Sequence, residues 1–336
     1  GGSYFSHVTY CEIIYQFKHK PMHKSFGFRL ILLMGMVAIL AASTNPDQKK
    51  ITLSLNLEKG DSFQIEMMAN QDINQVIMGV ENNIQQTQGY IYTYDVEDIV
   101  DGNYDIEVTY DAIIFNQSTQ GMTTEYDSRD TVAEVPLTAQ GFAGLVGQSF
   151  QMTMASDGSV KEISGMDQMI DNMIDQMEVP GLPKEQLRDQ LKTQMGNESM
   201  KGNMAQMVAA YPDKPIKVGN SWTNQSTVRT TMTLVEETTY TLNKVDDGKA
   251  YIGVEGTIAT DPEGAPMEMM GMSMSFALEG TQKGTMVIDI ASGMTLESNI
   301  NQLISGDVSM SGGQLGDQTM EFPMSIESTN TIKQQE

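Results

Sequence analysis

The chain has 336 residues, with 44 acidic against 20 basic side chains and a net charge of −24. Such a polyanion is repelled by nucleic acid and by anionic lipid surfaces, which excludes both as partners. Its three histidines, His7, His19 and His23, and its single cysteine, Cys11, all lie before residue 24. Everything downstream therefore lacks a Ser-His-Asp triad, a Cys nucleophile, a disulfide, and a His or Cys metal site.

From the N-terminus, Met22-His23-Lys24 opens a basic stretch that runs through Arg29 into the apolar block Leu30–Leu40. That block falls short of the roughly 20 residues of a membrane-spanning helix, and Ala41-Ala42-Ser43 supplies small residues for cleavage. The pattern predicts upstream sequence over 1–21, outside the native protein, and a signal peptide over 22–44. A bacterial lipoprotein would place Cys after the small residues, where Ser43-Thr44-Asn45 stands. The expectation is an exported protein, periplasmic or secreted, without a lipid anchor and without a transmembrane segment once the leader is gone.

Ile51, Leu53, Leu55 and Leu57 alternate as in a first strand. Gly60-Asp61-Ser62-Phe63 then recurs as Gly147-Gln148-Ser149-Phe150 and as Gly219-Asn220-Ser221-Trp222. Tyr92-Thr93-Tyr94 leads to a turn at Asp101-Gly102 and on to Ile106 and Val108. Tyr240-Thr241-Leu242 leads likewise to Asp247-Gly248, Ile252 and Val254. Asp-Gly between alternating runs signals a tight hairpin, because Gly accepts positive φ at no steric cost. A third echo pairs the segment 152–158, ending in Asp157-Gly158, with 288–293, ending in Ser292-Gly293. These echoes predict two related halves of antiparallel hairpins, 45–165 and 213–336. The long runs at 84–98 and 227–244 predict strong twist or curling.

Between the halves, over 166–212, the period changes. Met166, Met169, Ile170, Met173, Ile174 and Met177 fall on one helical face, with Asp167, Asp171 and Asp175 opposite. Pro180-Gly181 ends this helix. Pro183 opens a second with Leu187, Leu191 and Met195 in register, and Met200, Met204, Met207 and Val208 mark a third. The fold expected is mainly β: a curved antiparallel sheet or half-barrel of two related halves, with a three-helix insert covering an open face of the sheet.

The leader, the run Lys59-Gly60-Asp61-Ser62-Phe63, and the later Gly-polar-Ser-aromatic strand followed by an Asp-Gly turn together resemble a family of uncharacterised exported proteins of the Bacteroidota. That resemblance implies location and fold and assigns no catalytic set. A looser similarity of architecture is to periplasmic lipoprotein-carrier folds, in which a curved sheet and helices enclose an apolar cavity.

Methionine is abundant, at 28 residues. The main reading is apolar core, since the flexible thioether fills irregular gaps. A Met-lined interior also suits an adaptable pocket for an apolar ligand such as a lipid, with Met166, Met169, Ile170, Met173, Ile174 and Met177 as its lid. Alternation places Met270, Met272 and Met274 on one strand face, where thioethers suit Cu(I), and Met166, Met169 and Met173 offer the same from a helix. The carboxylate pairs Asp127 with Asp130 and Glu236 with Glu237 stand an odd number of residues apart, so in a strand they point to opposite faces. Trp222 is expected in the core. The reading is a non-catalytic binding protein without a cofactor that holds an apolar ligand, with an envelope structural protein contacting other proteins, or a Cu(I) binder, as alternatives.

Overall fold

The computed structural model describes residues 49–336, apart from 131–134, 137–138, 140–142, 177–182, 205–210, 230–231, 270–271, 314–317 and 336. The first half contributes β1 (Ser62–Ile77), β2 (Val80–Val100), β3 (Asn103–Thr119), β4 (Met122–Asp127), β5 (Ser149–Ala155) and β6 (Val160–Ser164). The insert contributes α1 (Met166–Gln176), α2 (Lys184–Met195) and α3 (Asn197–Met204). The second half contributes β7 (Ser221–Arg229), β8 (Thr233–Asp246), β9 (Lys249–Thr260), β10 (Met267–Met269), β11 (Met272–Asp289), β12 (Thr295–Gly312) and β13 (Thr319–Gln334).

All thirteen strands described join one antiparallel sheet in the order β6-β5-β3-β2-β1-β13-β12-β11-β9-β8-β7, with β4 beside β3 and β10 beside β11. Consecutive strands pair as hairpins except at β4–β5, β6–β7 and β9–β10. β1 pairs with β13 from Ile65↔Gln334 to Gln75↔Met324, which fuses the two halves at the middle. The ends of this order are β6 and β7, and α3 packs against both. The helices thus bridge an edge-to-edge gap as well as covering part of the sheet's apolar face. An unpaired edge left open would template association with other chains, and α3 shields it.

Local chemistry explains the turns. Asp101 and Gly102 have φ of 51° and 79°, and Asp247 and Gly248 have 46° and 72°. Two left-handed residues in succession make the tight turn whose twist matches the flanking strands. Met78-Gly79 and Gln120-Gly121 build the same turn without an Asp.

The three Gly-polar-Ser-aromatic motifs are one repeated device. Gly60, Gly147 and Gly219 have φ of 94°, 78° and 89°. Each donates its N–H to a carbonyl on the neighbouring strand, of Val96, Tyr110 and Leu242 at 2.9, 2.7 and 2.7 Å. The same three residues donate back to the carbonyls of Asp61, Gln148 and Asn220. In each case the register skips the next residue, Glu97, Asp111 or Asn243, which forms a bulge. Bulges sharpen twist, so the repeat also supplies curvature.

Residues 51–57 depart from the expected first strand. Ile51 makes a single bridge to Ile216, and the rest of the segment joins no ladder. It runs instead as a buried strap: Leu53 packs in one cluster with Leu242, Ile252 and Ile288, and Leu55 and Leu57 pack in another with Tyr92, Ile106 and Phe150. Its backbone is satisfied by turns, with Leu55 N–H on Ser156 O and Asn56 N–H on Ser292 O, both 2.8 Å. The alternation of leucines was a true signal of one-sided burial, and the partner proved to be the apolar face of the sheet rather than a neighbouring strand.

Across the middle of the apolar face runs a polar row. Gln117, Gln86, Gln71, Ser328, Gln302, Gln282, Gly256 and Thr238 are register partners on successive strands from β3 to β8. Gln117 donates to Gln86 at 3.0 Å, Gln302 to Gln282 at 3.2 Å, and Gln282 to Thr238 Oγ1 at 2.7 Å. Gln282 is buried and the other amides partly so, and tying them to one another avoids the cost of lost hydration. At Gly256 a Cβ would stand 3.1 Å from Gln282 Nε2 and 2.5 Å from Glu237 O, so glycine leaves Gln282 room to reach over β9. This row separates the strap clusters from an upper cluster around Ile258, Leu278, Ile304, Val308 and Phe322.

Candidate functional site

Met166, Met169, Ile170, Met173 and Ile174 are all buried, and Met177 lies outside the described residues. Met166, Met169 and Met173 meet Met200 and Met204 of α3, Met152 and Met154 of β5, and the leucines of the strap. The face marked out by helical spacing is thus the face turned inward. The three helices are tied to one another by polar groups. Arg188 pairs with Asp171 and Asp175, each at 3.0 Å, and Lys192 with Asp171 at 2.8 Å. Asn197 Oδ1 accepts from the Met166 N–H, and Asp167 Oδ1 from the Asn197 N–H, each at 3.1 Å. Hydrogen bonding to Lys192 and the nearby Arg188 charge hold the Asp171 carboxyl below its ordinary range.

Toward the sheet the contacts are of another kind: thioethers and rings. Tyr94 donates to Met204 Sδ at 3.8 Å. A cavity of about 30 Å³ remains between Leu55, Leu57, Phe63, Ile65, Tyr94 and Met204. That is room for about one water and none for an acyl chain while the helices sit down.

Sequence reasoning missed the tyrosine wall beside this void. Tyr92 and Tyr110 stand 4.8 Å apart, Tyr90 and Tyr92 stack at 5.8 Å, and Phe63 stacks on Tyr94 at 5.2 Å. Burial pushes the Tyr90 phenol up to about 12 and those of Tyr92, Tyr94 and Tyr110 well above their usual value. These phenols stay neutral at any physiological pH and serve as amphipathic walls. Tyr104 donates to Leu55 O at 3.0 Å, which pins the strap, and Tyr211 donates to Gly293 O of the β11–β12 turn. The Tyr-x-Tyr-x-Tyr spacing at 90–94 was the available signal.

At the upper end, Met267, Met274, Met310 and Met320 are successive register partners across β10, β11, β12 and β13. They are half-buried, and the last three pack on Val308 and Phe322. Met272 shares the strand face of Met274, and Met270 lies outside the described residues. The methionines that gather here thus come from four strands more than from one.

Glu236 and Glu237 do not converge, whereas Asp127 and Asp130 bracket a turn at the end of β4. Asp127 is held by Arg129 at 2.6 Å. Glu236 is buried and its neighbour Glu237 exposed, on opposite faces of β8. Burial raises the Glu236 carboxyl above its usual range against a hydrogen bond from Ser226 that lowers it. Among the described residues no group of three or more His, Cys, Asp or Glu is placed to hold a metal. Trp222 is half-buried and stacks on Tyr240 at 5.5 Å.

A trough of about 790 Å³ lies over β1–β4 and β11–β13, lined mainly by residues of the opposite face and also by Gln71, Gln86, Gln117, Gln302 and Ser328 of the polar row. Its lining is amide, hydroxyl and charged, with Leu303 as its large apolar member. No helix among the described residues is long and apolar enough to cross a membrane.

A family model matches residues 101–295, more than half of the chain, under the description Family of unknown function (DUF6263). The chain belongs to that family. The DUF6263 match runs from the β2–β3 turn through the insert to the start of β12. No curated protein matches the sequence. Similar solved structures include lipovitellin, described for its lipid–protein interactions, at 8% identity and a TM-score of 0.44, covering 84% of this chain and 26% of that one. This chain therefore spans about a quarter of the lipovitellin chain. They also include an outer membrane channel from Pseudomonas putida F1, at 8% identity and a TM-score of 0.23, covering 84% and 97% of the two chains. OpdQ of Pseudomonas aeruginosa is similar at 9% identity and a TM-score of 0.21, over 82% and 99%. Likeness this remote carries no argument about function.

Proposed function

We propose that this DUF6263 protein is a non-catalytic binding protein that acts outside the cytoplasm and takes an apolar ligand of the acyl-chain class beneath α1–α3. The observation that carries this reading is the asymmetry of the insert. Its ion pairs join helix to helix, while it meets the sheet through Met166, Met169, Met173, Met200 and Met204. Thioethers re-pack around varied shapes at low cost, so such a lid lifts as a unit and settles again on a ligand. The 30 Å³ void is then the closed state of a larger space, since an acyl chain needs the helices to move outward.

The test is extraction and mass analysis of what co-purifies without detergent. Met169→Asp with Met173→Asp should abolish an acyl adduct, and Met169→Leu with Met173→Leu should keep both fold and adduct. A protein free of adduct, and unchanged on adding a fatty acid, sinks the reading and favours an envelope structural role through protein contacts. The predicted leader is tested separately, by N-terminal sequencing of the protein recovered from an expressing cell's envelope.

The methionine row favours a second reading, Cu(I) held by the thioethers of Met267, Met274, Met310 and Met320. Competition against a chromophoric Cu(I) chelator should show one bound ion that Met310→Leu removes. Equal affinity in that variant rejects it.

A further inference from the structure

On the face turned away from the lid, the geometry points to a second binding site, for a polyhydroxylated chain bearing amino groups: an amino-sugar oligomer. The trough of about 790 Å³ lies within the size range of small-molecule sites. Two register rows floor it. One runs Ser118, Gln85, Asp72, Glu327, Leu303 and Thr281 across β3, β2, β1, β13, β12 and β11. The next runs Asn116, Thr87, Asn70, Thr329, Asn301 and Lys283 across the same strands.

An acyl chain gains nothing from burying such groups, whereas ring hydroxyls find a donor or acceptor at nearly every position. Part of the surface is already fixed in place. Thr87 donates to Asn70 and Thr329 to Asn301, each at 2.8 Å, which lowers the ordering cost of binding. Charge selects among sugars. Asp72 and Glu327 face each other directly on β1 and β13, a pairing that repels and that an ammonium group relieves. The lining's cation, Lys283, is engaged by Glu255 at 2.7 Å. This site shares no residue with the lid interface, so it stands or falls independently of the acyl-chain reading.

Calorimetry on the full chain at physiological salt tests it, with the glucosamine hexamer, its N-acetylated form and a galacturonate hexamer as probes. The glucosamine hexamer should bind about tenfold more tightly than the acetylated form, and the galacturonate not at all. Thr87→Trp with Asn301→Trp fills the trough without changing net charge and should abolish binding of both. Asp72→Asn with Glu327→Gln should cost about tenfold for the glucosamine hexamer alone, the scale of one charge-assisted hydrogen bond. Circular dichroism checks that each variant folds. Absence of glucosamine-hexamer binding, or binding that survives the trough-filling variant, overturns the site. Equal affinity in the Asp72/Glu327 variant overturns its amine selectivity.

Discussion

Replacing Leu55 with Ala tests whether the strap is a structural member of the core. Leu55 is 2% exposed, sits among Tyr92, Tyr104 and Ile106, and already borders the 30 Å³ void. Leu→Ala at buried sites costs about 3–5 kcal/mol, rising with the cavity left behind. The neighbouring methionines relax readily, which places this case near the lower end, at about 3 kcal/mol. With an unfolding entropy of about 2.1 cal/mol/K per residue over roughly 290 residues, that is a fall of about 5 °C in melting temperature. Leu303→Ala is the control, since Leu303 is 53% exposed and should shift by less than about 1 °C. Scanning calorimetry reads both. The enlarged void should also take up benzene, which would then raise the variant's melting temperature but not the parent's. A Leu55→Ala shift no larger than that of Leu303→Ala would refute the buried strap.

Glu236→Gln should raise the urea midpoint at pH 8, with the gain shrinking toward pH 4. The folded state holds this proton more tightly than the unfolded chain does, so the carboxylate's cost is absent when both are protonated and grows as pH rises through the folded-state value. A lower midpoint for the Gln variant at pH 8 would contradict the assignment. Gly219→Ala should cost about 1–2 kcal/mol by chemical denaturation, because an L residue is strained at φ 89°. Gly202→Ala, in α3, should instead stabilise by about 0.5–1 kcal/mol, because its Cβ meets only Thr227 O at 3.4 Å. Arg188→Ala should speed amide exchange in α1 and α2 and leave β11–β13 unchanged, since its partners Asp171, Asp175 and Glu185 lie within the insert.

Short-range chemistry carried most of the fold. Asp101-Gly102 and Asp247-Gly248 announced their hairpins because positive φ has few substitutes, and the buried face of the first helix was legible because Met166, Met169 and Met173 keep helical spacing. What was not legible depends on register between distant strands. No local rule tells that Asp72 faces Glu327, that Gln302 bonds Gln282, or that Met267, Met274, Met310 and Met320 form a row. Met78-Gly79 makes the same turn without an Asp to announce it, and Leu53, Leu55 and Leu57 obeyed strand alternation while joining no ladder, because alternation reports burial on one side and not hydrogen-bond partners.

Native mass spectrometry of residues 45–336, exported to a bacterial periplasm and purified without detergent, tests the acyl-chain reading most directly. The account predicts a reproducible adduct of fatty-acid or lipid mass, released by organic solvent and lost in the Met169→Asp, Met173→Asp variant. A bare protein mass that stays bare after incubation with fatty acid would contradict it.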